Sequence, residues 1–275
     1  MKHEAHSSRL AQPPLKSLAH IAWISGKRFL RPRPTRRPAL NGTPPKSADS
    51  YSIAPMLETR SVFVHVPKAA GISVSQSLYG CLGGGHLTVE KYLEVLGPYR
   101  FLTFFKFAFV RNPWSRLYSA YRFLSKGGMN EKDAMFQADV LSEYSDFSDF
   151  VMRWLDHETV DTQMHFRPQH RFIFDASRRL AVDFVGFYES LEDDFEYVAK
   201  QLAVTASLPH LNSSGAAEDL SGVYSPQMIE KVSAIYAADI DTFGYSMTNP
   251  NGSSSKASDD RSGYSFLRRF NECTA

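Results

Sequence analysis

Two short apolar runs constrain the fold of this chain more than any other feature. The first, 61-SVFVHV-66, is rich in Val and Phe and is closed by Pro67; the second, 104-FFKFAFV-110, stops at Arg111. Runs this short, β-branched or aromatic and bounded by turn residues, read as buried strands. Each leads into a helix. Beyond Gly71, Val74 and Leu78 have helical spacing, with Ser73, Ser75, Gln76 and Ser77 between them. Beyond Arg111, Asn112 supplies a cap and Pro113 suits a first helical turn. Along that second helix Trp114, Leu117, Tyr121 and Leu124 share a face expected to pack on a core, while Ser115, Ser119 and Arg122 fall elsewhere. A third apolar run over 183–187 completes the pattern. Strands leading into helices suit an α/β domain, and in an open parallel sheet the C-terminal ends of the strands are where ligands bind.

The turn 67-PKAAGIS-73 has the makings of an anion site. Free N–H groups point out of a first helical turn, and the positive end of the helix dipole favours negative charge. Lys68 adds a cation. Arg111, at the end of the second strand, approaches the same edge and offers planar, bidentate recognition of a phosphate. Arg116 reads as a solvated arginine or one arm of a structural ion pair. The turn is not a nucleotide P-loop, because Lys68 precedes Gly71 instead of following a second glycine, and no Gly-x-Gly-x-x-Gly fingerprint occurs.

With 275 residues, 43% of them hydrophobic, the chain suits one domain of about 200 residues with flanks. The expected boundaries are a disordered, basic Pro/Arg-rich arm at 1–57, the domain at 58–247 and a disordered tail at 248–275. Residues 1–46 hold ten Lys/Arg against Glu4 alone, so of the net charge of +2 the remainder of the chain carries −7. Nucleic acid is therefore not an expected partner of the domain. The segment 15–30 is too short to span a bilayer and lacks the apolar stretch of a secretory signal, so at most the arm touches an anionic membrane surface. Cys81 and Cys273 suggest neither a disulfide nor a metal site, which fits a reducing cytoplasm.

The two turns together resemble the cofactor motifs of the carbohydrate sulfotransferases that use 3′-phosphoadenosine 5′-phosphosulfate. The first family motif is a strand followed by Pro-Lys-x-x-Gly-Thr-Ser, which 67-PKAAGIS-73 follows with one departure; the second, Arg-x-Pro-x-x-Arg-x-x-Ser-x-Tyr, is matched throughout by 111-RNPWSRLYSAY-121. The stretches 165-HFRPQ-169, 183-DFVGFYESLEDDF-195, 208-LPHLN-212 and 236-YAADIDTFGY-245 are similar to the same family, so the resemblance covers about 60–246. It implies a P-loop-like three-layer fold with a central parallel sheet flanked by helices.

The resemblance also implies roles. Lys68 would donate to the bridging oxygen of the leaving group. The backbone of Ala69, Ala70, Gly71, Ile72 and Ser73, with the Ser73 hydroxyl, would hold the 5′-phosphate. Arg111 and Ser119 would hold the 3′-phosphate, and Tyr188 would lie near the adenine. Ile72 replaces the family's Thr, which keeps a backbone N–H and removes a hydroxyl contact. His86, in a glycine-rich loop, is the expected base, since related 2-O-sulfotransferases carry a catalytic histidine in that interval. His165 is the next candidate, in a segment whose Arg167 and Gln169 could grip a sugar. His65 reads as a core histidine, and Glu90 is a non-histidine alternative with little behind it. The expected acceptor is a carbohydrate or glycolipid, with no metal required, in a bacterial cytoplasm. Two rivals remain: a phosphotransferase preferring ATP with magnesium, and a protein of the same fold that binds a nucleotide or glycan without turnover.

Overall fold

The computed structural model describes residues 43–208, 220 and 222–247. The segment 15–30, most of 208-LPHLN-212, Cys273 and the tail at 248–275 lie outside the described residues. Three strands, β1 (Ser61–Val64), β2 (Phe105–Val110) and β3 (Phe184–Phe187), form a parallel sheet in the order β1-β2-β3. Helix α1 (Ala54–Glu58) precedes the sheet. Helices α2 (Gly71–Tyr79) and α3 (Val89–Thr103) connect β1 to β2. Helices α4 (Pro113–Leu124), α5 (Glu131–Asp139), α6 (Phe147–Arg153) and α7 (His170–Ile173) connect β2 to β3, and α8 (Leu191–Gln201), α9 (Pro226–Ile235) and α10 (Ala237–Phe243) follow. This is the expected α/β architecture, a parallel sheet flanked by helices.

The strands are buried on both faces, as parallel strands covered by helices must be. Phe63 and Phe107 stack with ring centres 5.0 Å apart, and Phe109 meets Phe63 edge-on. Lys106 is the polar exception in β2; its ammonium reaches the Phe104 carbonyl at 2.9 Å and the Asp183 carboxylate at 2.8 Å. Register places Val64 beside Ala108, and Val110 beside Phe187. The residues that follow the strands, His65 to Lys68, Arg111 and Tyr188 to Glu189, therefore emerge along one edge. β1 is shorter than the apolar run, because His65 and Val66 leave the ladder before Pro67.

Helix α4 starts as its sequence predicts. The Asn112 side chain accepts hydrogen bonds from the N–H groups of Trp114 (3.1 Å) and Ser115 (3.2 Å), and Pro113 occupies the first turn. Trp114, Leu117 and Leu124 are buried as expected, but so are Ser115 and Arg116. Helix α3 is broken at Gly97 (φ 75°, ψ 161°), after which Pro98 begins its second half.

The expected boundary at 57/58 falls inside the packed structure. Ser52 N–H donates to the Gly83 carbonyl and Leu82 N–H to the Ser50 carbonyl, both at 2.9 Å, and Ile53 and Met56 are core residues. The basic composition ends at Lys46, and the apolar side chains beyond it have a core to enter. Among the described residues no helix is long and apolar enough to cross a membrane.

Candidate active site

The turn after β1 is held in an uncommon backbone conformation. Lys68 (φ 67°) and Ala70 (φ 59°) are both left-handed. Such a conformation costs a non-glycine residue on the order of 1–3 kcal/mol. Left-handed residues within a turn aim successive N–H groups into one concavity, which suits an anion. Helix α2 then opens at Gly71 with no side-chain cap, so its first-turn N–H groups face the same space.

Gly71 has a second reason to be glycine. A Cβ there would lie 1.8 Å from Cδ2 and 1.9 Å from Nε2 of His65. His65 is buried and stacks on Phe63, the core position its strand alternation suggests, yet it also forms the floor beneath the turn.

Arg111 joins the turn to the second strand end. Its guanidinium donates to the Lys68 carbonyl (3.3 Å) and to Ser115 Oγ (2.8 Å), and it lies over the Tyr188 ring at 4.1 Å. Gln169 fixes its backbone: Gln169 Oε1 accepts from Arg111 N–H at 2.9 Å, and Gln169 Nε2 donates to the Arg111 carbonyl at 2.7 Å. Gln169 N–H in turn donates to the buried Asp239 carboxylate at 2.7 Å. Next along the chain, Asn112 N–H donates to Glu189 Oε1 (2.8 Å), whose other oxygen accepts from the Tyr245 hydroxyl (2.9 Å).

Arg116 departs from its sequence reading. It is not solvated but 1% exposed, and among the described residues it makes no ion pair. Its guanidinium donates to four carbonyls, those of Pro67 (3.4 Å), His165 (3.1 Å), Phe166 (3.4 Å) and Arg167 (2.6 Å). A buried cation needs partners for its donors; here both terminal nitrogens are engaged, while Nε finds no partner among the described residues, and the four bonds clasp the turn after β1 to the 165–167 segment. Burial lowers its pKa.

Three histidines gather beside Lys68. His86 Nδ1 donates to the His65 carbonyl at 3.0 Å, and its ring lies 4.2 Å from that of His65 and 5.7 Å from that of His165. The Phe123 ring is close to both Lys68 and His165, its centre 4.0 Å from Lys68 Nζ and 5.0 Å from the His165 ring centre. Burial, and then the charge of Arg111, pull the Lys68 pKa down to about 8, while Asp133 pulls it back upward. Burial and neighbouring positive charge pull His165 down to about 3 and put His65 well below its ordinary value.

The structure thus brings Lys68, Ala69, Ala70, Gly71, Ser73, Arg111, Tyr188, His86 and His165 to one edge of the sheet. Ile72 is exposed at the start of α2. Ser119 is half-buried, two turns along α4 from Arg111 and in line with Ser115. Arg167 is not brought to the histidines by any contact among the described residues; its guanidinium engages Asp161 at 3.1 Å through the carbonyl and 3.6 Å through the carboxylate. Glu90 is exposed in the first turn of α3. Sequence reasoning missed Asp133 and assigned Gln169 only to sugar, and both depend on partners far along the chain. Among the described residues no group of three or more His, Cys, Asp or Glu is arranged to hold a metal ion.

The profile of the Sulfotransferase family matches residues 60–246, which is more than half of the chain and includes both strand-end turns. The chain belongs to the sulfotransferase family. This sulfotransferase is also 27% identical over 175 residues to "Carbohydrate sulfotransferase 14" of Danio rerio, a match that covers 53% of the chain and 46% of that relative. The chain thus spans about half the length of the curated relative it matches. No solved structure matches it at a significant level.

Proposed function

We propose that this sulfotransferase moves a sulfuryl group from 3′-phosphoadenosine 5′-phosphosulfate to a carbohydrate hydroxyl by in-line displacement. The observation that carries the reading is the strand-end pairing of Lys68 and Arg111: a lysine in an uncapped, left-handed turn, with an arginine bonded to its carbonyl. The donor set fits the nucleotide, since one turn of N–H groups suits the 5′-phosphate and a separate guanidinium suits a second phosphate. When bound, that nucleotide supplies an activated sulfuryl group and a phosphate leaving group.

In this reading the N–H groups from Ala69 to Ser73 and the Ser73 hydroxyl bind the 5′-phosphate. Arg111 and Ser119 bind the 3′-phosphate, and Tyr188, already packed on Arg111, borders the adenine. Lys68 donates a proton-bearing N–H to the bridging oxygen as charge builds there, an interaction strongest in the transition state. His86 takes the proton of the acceptor hydroxyl. Its Nδ1–H is committed to the His65 carbonyl, which leaves Nε2 as the basic nitrogen. The relative's printed name supports a carbohydrate acceptor.

Calorimetric titration with 3′-phosphoadenosine 5′-phosphate, with ADP as control and an Arg111→Ala variant alongside, tests the donor half. Binding that requires the 3′-phosphate and weakens about tenfold to a hundredfold in the variant is expected, from the loss of hydrogen bonds to a charged group. Equal affinity for ADP would overturn the assignment.

A further inference from the structure

We propose that Asp133 and His165 form an anchor for the acceptor sugar, in which His165 Nδ1 accepts a hydrogen bond from a hydroxyl beside the one that receives sulfate. The inference rests on the sulfotransfer reading and adds to it a positioning residue, Asp133, and a requirement on the acceptor.

The first observation is an unpaired atom. His165 is 7% exposed, yet its Nδ1 makes no hydrogen bond among the described residues. Buried polar atoms are rarely left so, and one that persists at a site calls for a partner. The backbone beneath the ring is fixed, because the His165 carbonyl is gripped by Arg116 and the Phe166 carbonyl by both Arg116 and the Tyr236 hydroxyl (2.6 Å), so only the side-chain torsions of His165 remain to turn Nδ1 toward a ligand.

The second observation is the carboxylate behind it. Asp133 is 4% exposed, and its Oδ2 accepts from Met129 N–H (3.1 Å) and Asn130 Nδ2 (2.7 Å). Its Oδ1 stands 3.4 Å from His165 Nε2. A turn is shaped around this group: Gly128 has φ +63°, and a Cβ there would lie 2.2 Å from the Asp133 Cβ. A carboxylate facing Nε2 favours a proton on that nitrogen. The lone pair of the neutral ring then belongs to Nδ1, which becomes an acceptor.

Two facts decide what the acceptor does. The His165 ring centre is 5.7 Å from that of His86, so two hydroxyls of one sugar ring can meet the two imidazoles together. His165, held neutral by burial and by its cationic neighbours, is too weak a base to deprotonate a hydroxyl near neutral pH. It holds a hydroxyl, and His86 removes the proton of its neighbour. The acceptor must therefore present two adjacent free hydroxyls.

The test uses the full chain as wild type, Asp133→Asn and His165→Gln. Nitrogen-15 NMR reads the tautomer of His165, assigned by the signal lost in His165→Gln. The wild type should carry the proton on Nε2, and Asp133→Asn, which turns an amide N–H toward the ring, should move it to Nδ1. Sulfate transfer to a panel of unsulfated methyl glycosides should show the Asp133→Asn loss mainly as a rise in acceptor KM, about three- to tenfold for one neutral hydrogen bond. Affinity for 3′-phosphoadenosine 5′-phosphate should be retained. A wild-type ring protonated on Nδ1, or an acceptor KM that Asp133→Asn leaves alone, overturns the anchor. A panel in which the wild type sulfates nothing counts against the sulfotransfer reading instead. The anchor is then read from the His165 nitrogen shifts as the same glycosides are titrated, and unmoved shifts overturn it. Should Asp133→Asn not fold, the wild-type tautomer and the His165→Gln kinetics decide the matter.

Discussion

The imidazole of His65 occupies the space into which any side chain at position 71 would project, with ring atoms 1.8 Å and 1.9 Å from where a Cβ would sit. The strand end and the turn that follows it are thus fitted to each other. Glycine 71 serves the close approach of a buried ring, and the ring in turn supports the turn from below.

This fit predicts a compensated pair. Gly71→Ala should destabilise the fold by about 1–3 kcal/mol, the usual cost of overpacking, and should weaken binding of 3′-phosphoadenosine 5′-phosphate. Adding His65→Ala should recover much of the stability. Urea denaturation of the two single variants and the double variant measures the coupling, and strictly additive losses would show that the two positions do not meet.

Lys68 should give activity an early alkaline limit. The lysine acts as a donor only while protonated, and its folded pKa is about 8 instead of the ordinary 10.5. Turnover should therefore fall as pH rises through about 8, and Lys68→Ala should lower kcat by about a hundredfold or more, as loss of a transition-state donor does. Stability runs the other way. Between about 8 and 10.5 the unfolded chain binds more protons than the folded one, so stability rises with pH across that window. A pH–rate profile flat to pH 10 would refute the assignment.

Acid should loosen the histidine cluster before it protonates most carboxylates. His65 and His165 have folded values below the 6.5 of an unfolded histidine, so the unfolded chain takes up the extra protons. Stability should decline as pH falls from about 6.5 toward 5, and His165→Gln should flatten that slope. Denaturant midpoints at pH 7, 6 and 5 are the measurement.

Gln169 should act through Arg111. Gln169→Glu replaces the amide N–H that reaches the Arg111 carbonyl with an oxygen, setting two acceptors against each other. The expected result is a loss of about 1–3 kcal/mol in stability, with weakened nucleotide binding although residue 169 touches no phosphate in this scheme. Wild-type affinity in Gln169→Glu would show that the strand end does not depend on it.

What the sequence disclosed was local. Short apolar runs, Asn112-Pro113 and the small residues after Lys68 each specify a strand, a cap or a turn within a few residues, and the structure has them there. Arg116 was misread because its neighbours in sequence resemble a half-exposed helix face, whereas its burial is set by carbonyls about fifty residues away. Asp133 drew no reading at all, because nothing within a few residues of it marks a site, and only the tertiary fold turns its Oδ1 toward His165. Ile53 and Met56 were assigned to a basic arm on the strength of charges that end at Lys46.

Arg116 holds its partners by carbonyl oxygens, which every amino acid possesses. The clasp between the turn that follows β1 and the 165–167 segment therefore makes few demands on which side chains stand at 67 and 165–167. Side chains at those positions can change without loosening the clasp, so the spacing of the two segments is set by backbone and by one arginine alone.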